Sequence, residues 1–475
     1  MGRVELESVK NSVRRTWADD VLPSLSTLVS IPALSPVFDP EWAETGHLDA
    51  AVEHVKAWFA ERDLPGARID VVRLPDRSPV LLLDVPATEG AEDKGTVLMY
   101  GHLDKQPPVG GWSEGLGPWT PVVRDGRLYG RGSADDGYAG YAATTALTAV
   151  REAGGSHART VVLLETGEES GSPDLPAYLD HLAERLGRVS LVVCLDSGGN
   201  DYERLWLTTS LRGLAQVHVT VRVLETAQHS GMASGIVPSS FRVLRTLLDR
   251  LEDSATGEIK IAECNVEIPA NRVAEARATI EAVPGAILDT TPWHGSTRPV
   301  VDDEVELLLN NSWRPTLSVI GASGMPEPAE AGNVLRTSTT LALSFRLPPT
   351  ADSKATLEAI KKALTTDVPY DATVELSGME AADGWNAPEP APWLAEALAK
   401  ASDEIFGKPW GTVGLGGSIP FMGLLGEKYP EAQFVVTGAL GPDSNAHVPD
   451  EWLHLDHAQR VTETIATVLD AHARS

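Results

Sequence analysis

Five short stretches of this 475-residue chain set metal-binding side chains in loop-like surroundings. They are Gly101-His102-Leu103-Asp104, Gly132-Ser133-Ala134-Asp135-Asp136-Gly137, Glu168-Glu169-Ser170-Gly171, Leu195-Asp196-Ser197-Gly198 and Asn445-Ala446-His447. Together they offer two histidines and several carboxylates. That mixed nitrogen and oxygen set suits a pair of divalent cations holding a hydrolytic water. Each stretch alone has an ordinary reading: a polar surface loop, an N-cap aspartate at a helix start, a solvated acidic turn. Their order, and the apolar run ahead of several of them, point to a two-metal hydrolase acting on an amide bond.

The individual residues divide the work plausibly. A histidine at a strand end beside glycine can point into a cleft, and Asp104 two residues on can accept a hydrogen bond from its second ring nitrogen, fixing the tautomer. Of Asp135 and Asp136, one could bridge two cations while the other caps the Ala-rich helix that follows. Glu168 and Glu169 can supply one ligand and one base. Other catalytic schemes lack their residues. Gly416-Gly417-Ser418-Ile419-Pro420 breaks the nucleophile-elbow pattern, no His-Glu-x-x-His helix is present, and neither Cys194 nor Cys264 has a nucleophile context. His54, His181 and His457 fall on helix faces and read as structural or surface residues.

Charge narrows the partners. Asp plus Glu number 67 against 39 Lys plus Arg, a net −28 spread along the chain. Phosphate binding needs basic patches, so nucleic acid is not expected. Two cysteines cannot form a disulfide framework at this size. No apolar run reaches membrane-spanning length, and residues 1–10 lack the apolar core of a signal peptide. A cytoplasmic protein with no membrane partner is expected.

The elements that must position these residues follow from periodicity. Residues 46–62 form an amphipathic helix, the first in the chain. Apolar runs at 79–83, 96–100, 160–164 and 190–195 read as strands covered on both faces. Helices at 137–153 and 174–186 alternate with them, which indicates an α/β layer with a mainly parallel sheet. His102, Glu168–Glu169 and Asp196 each follow a strand, where ligands gather in open α/β sheets. From residue 209 the texture changes. Gly213–Val223 and Thr337–Leu347 alternate as half-exposed antiparallel strands, with helices at 237–252 and 351–364. This reads as an α+β unit, residues 209–388, inserted into a discontinuous domain of 1–208 and 389–475. Residues 383–393 read as a hinge, 392–406 as a helix, 411–418 as a Gly-rich loop and 432–436 as a strand.

The ordered set GHLDKQPP (101–108), GRGSADDG (130–137), ETGEESGS (165–172), LDSGG (195–199), QHSG (228–231), GGSIP (416–420) and NAH (445–447) resembles the di-zinc dipeptidase family. That family contains carnosinases and cytosolic non-specific dipeptidases, with acetylornithine deacetylase and succinyl-diaminopimelate desuccinylase as wider relatives. The resemblance spans nearly the whole chain. It implies that His102 and Asp196 bind one zinc, Glu169 and His447 the other, and Asp135 both, with a peptide bond to Asp136 that is often cis in such enzymes. It implies Glu168 as general base and then acid, Asp104 as the residue orienting His102, and His229 as an oxyanion stabiliser reaching into a partner subunit. Asn333 and Arg346 would hold the substrate's terminal carboxylate, with Gly417 and Ser418 lining the pocket. The insertion would be lid and dimerisation surface, the metals two divalent ions, zinc above all with manganese or cobalt possible, and the assembly a homodimer. Lys105, Thr166-Gly167, Asp443 and Val448 depart from close relatives and bear on substrate range. A dipeptidase is the first reading, an N-acyl amino acid deacylase with the same site the second. A non-catalytic peptide-binding protein is the third.

Overall fold

The computed structural model describes residues 5–417 and 420–475. Its main sheet has six strands in the order Arg68–Val72, Val80–Val85, Arg159–Glu165, Thr96–His102, Val189–Cys194 and Gln433–Val436. The first two pairings are antiparallel and the last three parallel. The continuous apolar runs have a direct cause. Successive strand side chains point to opposite faces, and here both faces are buried. Leu81, Leu83, Val97, Met99, Val162, Leu164 and Val193 enter one core. Leu82, Leu98, Tyr100, Val161, Leu163, Val192 and Cys194 enter the other. The first core is closed by helices that include His47–Ala60, Ala139–Glu152 and Leu455–Arg474. The second is closed in part by Leu175–His181 and the helix at 420–428.

This topology places the carboxyl ends of three neighbouring parallel strands side by side. Arg159–Glu165, Thr96–His102 and Val189–Cys194 all run out at the same edge of the sheet, so Glu168–Glu169, His102 and Asp196 begin as near neighbours. Gly101 lets the next layer close on them. A Cβ there would sit 2.7 Å from Ala139 Cβ and 2.8 Å from Asp136 Oδ2.

The expected α+β unit is also present. Strands Thr316–Ser323, Ser338–Leu347, Gly213–Arg222 and Thr373–Ala382 form an antiparallel sheet in that order. Ala215, Val217, Val219 and Val221 face inward with Leu343 and Phe345, and Val243, Leu247, Ile360 and Leu364 from two helices cover them in a separate apolar core. The fold class read from the sequence, a mainly parallel α/β layer with an α+β insertion, is what the chain adopts.

Several local expectations are corrected. Leu6–Thr16 and Leu22–Ser30 are helices preceding 47–60, with Val9 and Val13 buried. Gly411–Leu415 is a strand, parallel to Trp206–Leu211. Its glycines allow close packing, since a Cβ on Gly411 would lie 2.5 Å from the Trp206 ring. Residues 383–393 are no free hinge, because Trp385–Asn386 pairs with Ser210–Leu211 and Trp385 is buried. Helices Ala270–Ala282 and Glu304–Ser312 lie in a part of the insertion for which periodicity gave no reading. Among the described residues, no helix is long and apolar enough to cross a membrane.

The long C-terminal helix yields a test of the core. His457 is buried against Tyr202 and Phe406, and burial pulls its pKa down to about 4. An unfolded histidine titrates near 6.5. Between those values the unfolded chain binds the extra proton, so His457 makes stability rise with pH across that window and fall as acid is added. His457→Leu should remove this contribution. Denaturant unfolding should then show wild type losing more stability than the variant on going from about pH 7 to about pH 4. Equal losses in both proteins would contradict a buried neutral imidazole.

Candidate active site and metal centre

His102, fully buried at its strand end, is the hub of the site. Its Nε2 lies 3.3 Å from Asp135 Oδ1, 3.9 Å from Asp196 Oδ2 and 4.0 Å from Glu168 Oε2. His447 approaches from the opposite side, its Nε2 2.9 Å from Asp135 Oδ2 and 3.3 Å from Glu169 Oε2. Asp135 therefore stands between two imidazoles with one oxygen toward each. Donor atoms of His102, Glu168 and Asp196 lie within 4.8 Å of one another, as do those of His102, Asp135 and Glu169.

The loop that delivers Asp135 has the cis peptide bond the resemblance implied and departs from expectation only at the start of the helix that follows. The Asp135–Asp136 peptide bond is cis, and both residues have non-helical backbone angles. The helix begins at Ala139, so neither aspartate is its N-cap. Asp136 instead turns back to the strand end. Its Oδ2 accepts the His102 backbone N–H at 3.4 Å, while its Oδ1 is buried with no hydrogen-bond partner among the described residues.

Asp104 has a wider role than orienting an imidazole. His102 Nδ1 lies 3.0 Å from the Asp104 carbonyl oxygen and 3.4 Å from its carboxylate. The carboxylate also accepts the backbone N–H groups of Glu168 at 3.2 Å and Glu169 at 3.0 Å. Gln106, which the sequence reading passed over, donates to Glu169 at 2.7 Å. Its position two residues past Asp104 was the only available signal. Lys105, beside the ligand motif, turns inward. It is buried, and its ammonium donates to the carbonyls of Leu28, Val29 and Ile31 at the end of a helix.

Crowded, desolvated carboxylates hold protons. Burial raises Glu168; His102 opposes it, the charges of Glu169, Asp135 and Asp104 add to it, and Glu168 ends well above the usual carboxylate range. Burial and Glu168 do the same to Asp196, and burial and Asp135 raise Glu169. Asp135 moves the other way: the hydrogen bonds from His102 and His447 overcome burial and hold it low. The hydrogen bonds His447 donates to Asp135 and Glu169 lift it to about 10. His102 rises despite burial, through Asp104 and Asp135.

Other residues singled out in the sequence lie apart from this cluster. His229 is exposed, its ring Nδ1 accepting the Gly231 N–H, on a short strand paired with Val334–Leu335. Asn333 sits beside it, its carbonyl accepting the Ser230 N–H. Arg346 is half-buried on the strand Ser338–Leu347. Gly417 is linked to that strand's neighbourhood through Arg212, whose backbone N–H donates to Gly417 O and whose Nε donates to Gly416 O. Ser418 lies outside the described residues. A cavity of about 430 Å³ opens beside the cluster, between Glu168, Asp196 and His447 on one side and Gly199, Leu415 and Leu440 on the other.

Residues 98–471 match peptidase family M20/M25/M40, and the chain belongs to that family of metallopeptidases. Over 441 residues it is 29% identical to the cysteinylglycine-S-conjugate dipeptidase of Corynebacterium striatum, covering 91% of this chain and 90% of that enzyme. It is 28% identical to the human Beta-Ala-His dipeptidase over 63% of this chain and 60% of that enzyme. The fold matches human carnosine dipeptidase 1 with a TM-score of 0.75 and 22% identity over 99% of both chains.

The donor set fits divalent cations. Four acidic side chains and two imidazoles converge, and burial raises the proton affinity of three of the acids, Glu168, Glu169 and Asp196, against which a cation would compete. Zinc titrated into chelator-stripped protein at about pH 7 should therefore release protons. Calorimetry in buffers of different ionisation enthalpy should show this as a buffer-dependent heat. A heat independent of buffer would contradict it.

Proposed function

We propose that this chain hydrolyses the amide bond of dipeptides with two divalent ions. His102 and Asp196 would hold one, Glu169 and His447 the other, and Asp135 both. The observation that carries the reading is Asp135, placed between the two imidazoles with Glu168 4.0 Å from one of them. Zinc suits this nitrogen and oxygen set, and manganese or cobalt are acceptable alternatives. Bound there, the pair would polarise the scissile carbonyl and make a nearby water acidic enough to lose a proton at neutral pH.

The chain's own residues do the rest. Glu168 lines the cavity beside the cluster and takes the proton from the attacking water, then returns it to the leaving amine. Its raised affinity for a proton suits both halves of that exchange. Asp104 fixes the backbone of the turn that carries Glu168. Arg346 can grip a free C-terminal carboxylate in bidentate fashion, with Gly417 lining the pocket and Asn333 supplied by a second copy. Residues 209–388 would act as lid over the domain formed by 1–208 and 389–475. Because His229 and Asn333 lie away from their own cluster, we assign them to the site of a second copy in a homodimer. A cytoplasmic location accords with this reading. An N-acyl amino acid deacylase would use the same residues without recognising a free amine.

Chelator-treated protein should lose dipeptide hydrolysis, and zinc, manganese or cobalt should restore it; activity surviving complete metal removal would end the proposal. A panel of dipeptides against acetyl- and succinyl-amino acids separates the peptidase from the deacylase. Glu168→Gln should lower kcat by about 10²–10⁴-fold while metal content, read by elemental analysis, stays at the wild-type level. His229→Ala should likewise cut turnover with metal retained. Loss of metal from that variant would make His229 a ligand and refute its assignment.

A further inference from the structure

Behind the cluster lies an ion pair that the chemistry above does not use. Arg131 and Glu451 are both buried, with Arg131 Nη1 2.7 Å from Glu451 Oε2. The other carboxylate oxygen, Oε1, accepts three backbone N–H groups from one loop: Gly132 at 3.0 Å, Ala134 at 3.3 Å and Asp135 at 3.3 Å. The last of these belongs to the residue placed between the two imidazoles. Arg131 also donates through Nη2 to the Val448 carbonyl at 3.1 Å, one residue past His447.

The pair thus ties together two loops distant in sequence, each carrying a residue of the cluster. The second loop needs such a tie. Asp443, Asn445, His447 and Asp450 have φ of 60°, 59°, 66° and 63°, in the left-handed region that costs a non-glycine residue energy. Repeated excursions of this kind persist only where the surroundings over-determine them. The restraints reach the loop from elsewhere in the chain: Ser113 N–H to Asp450 at 2.9 Å, and Arg131 to Val448.

We propose that Glu451, with Arg131, is a positioning residue of the metal centre. It sets the Asp135 carboxylate against the His447 imidazole by holding both backbones, and touches neither substrate nor metal. The inference rests on the two-metal reading. Outer partners of metal ligands are worth about 10–100-fold in metal affinity when removed, and that is the expected effect here.

The test is zinc affinity, measured by competition with a chromophoric chelator, alongside the melting temperature of the metal-free proteins. Removing Glu451 alone strands a buried guanidinium, so the primary variant is Arg131→Met/Glu451→Leu, which replaces the pair with apolar groups of similar size. It should melt below wild type when metal-free, because three buried backbone N–H groups lose their acceptor, and should bind zinc about 10–100-fold more weakly. Glu451→Gln, which keeps an oxygen for the three N–H groups, should recover part of the affinity. Glu451→Asp, one methylene shorter, should not. Zinc affinity within about twofold of wild type in the double variant would overturn the proposal and leave a merely structural ion pair. If the double variant does not fold, the same criterion applies to Glu451→Asp. Wild-type protein that binds no zinc would instead refute the two-metal reading itself.

Discussion

Everything in this structure is arranged around an electrostatic difficulty: acidic side chains gathered out of water at the end of a sheet. Like charges in a poorly solvated place repel, and burial disfavours their ionised forms. Two imidazoles offset part of that, and the crowding raises the proton affinity of Glu168 and Asp196. The remaining imbalance is what a resident cation would relieve. A cluster assembled only for stability would be better replaced by apolar residues, so its persistence in the core is itself an argument for chemistry.

The fold solves the problem of bringing these groups together without flexible reach. Parallel strands with both faces covered must be apolar along their length, and their ends are then the first places where polar side chains fit. Three such ends lie adjacent here, and the residues just past them are His102, Glu168, Glu169 and Asp196. Small residues close the gaps. Gly101 admits the Asp136 carboxylate against the strand, and Gly198 lies against the Leu440 backbone, where a Cβ would fall 1.9 Å from its carbonyl oxygen.

The sequence revealed the parts of this design that repeat with a period. Strand runs around Val97, Val162 and Val192 and the alternation of Ala215 to Val221 carry the fold class plainly, and the loop positions after them carry the ligand candidates. What periodicity could not carry was contact between distant segments. Glu451 follows His447 by four residues with nothing in its neighbours to mark it, and its meaning comes from backbone donors more than three hundred positions away. Lys105 stands out beside a ligand motif, yet it turns inward to helix carbonyls, a direction no spacing rule encodes. The glycines at 411 and 414 read as a loop because the sequence does not show the Trp206 ring and the Ser210 side chain they accommodate.

Asp104 deserves its place in this architecture for what it joins. One carboxylate meets the imidazole at one strand end and two amides at the next. The ring and the acidic turn are thereby locked as a single rigid plate, unable to drift apart independently.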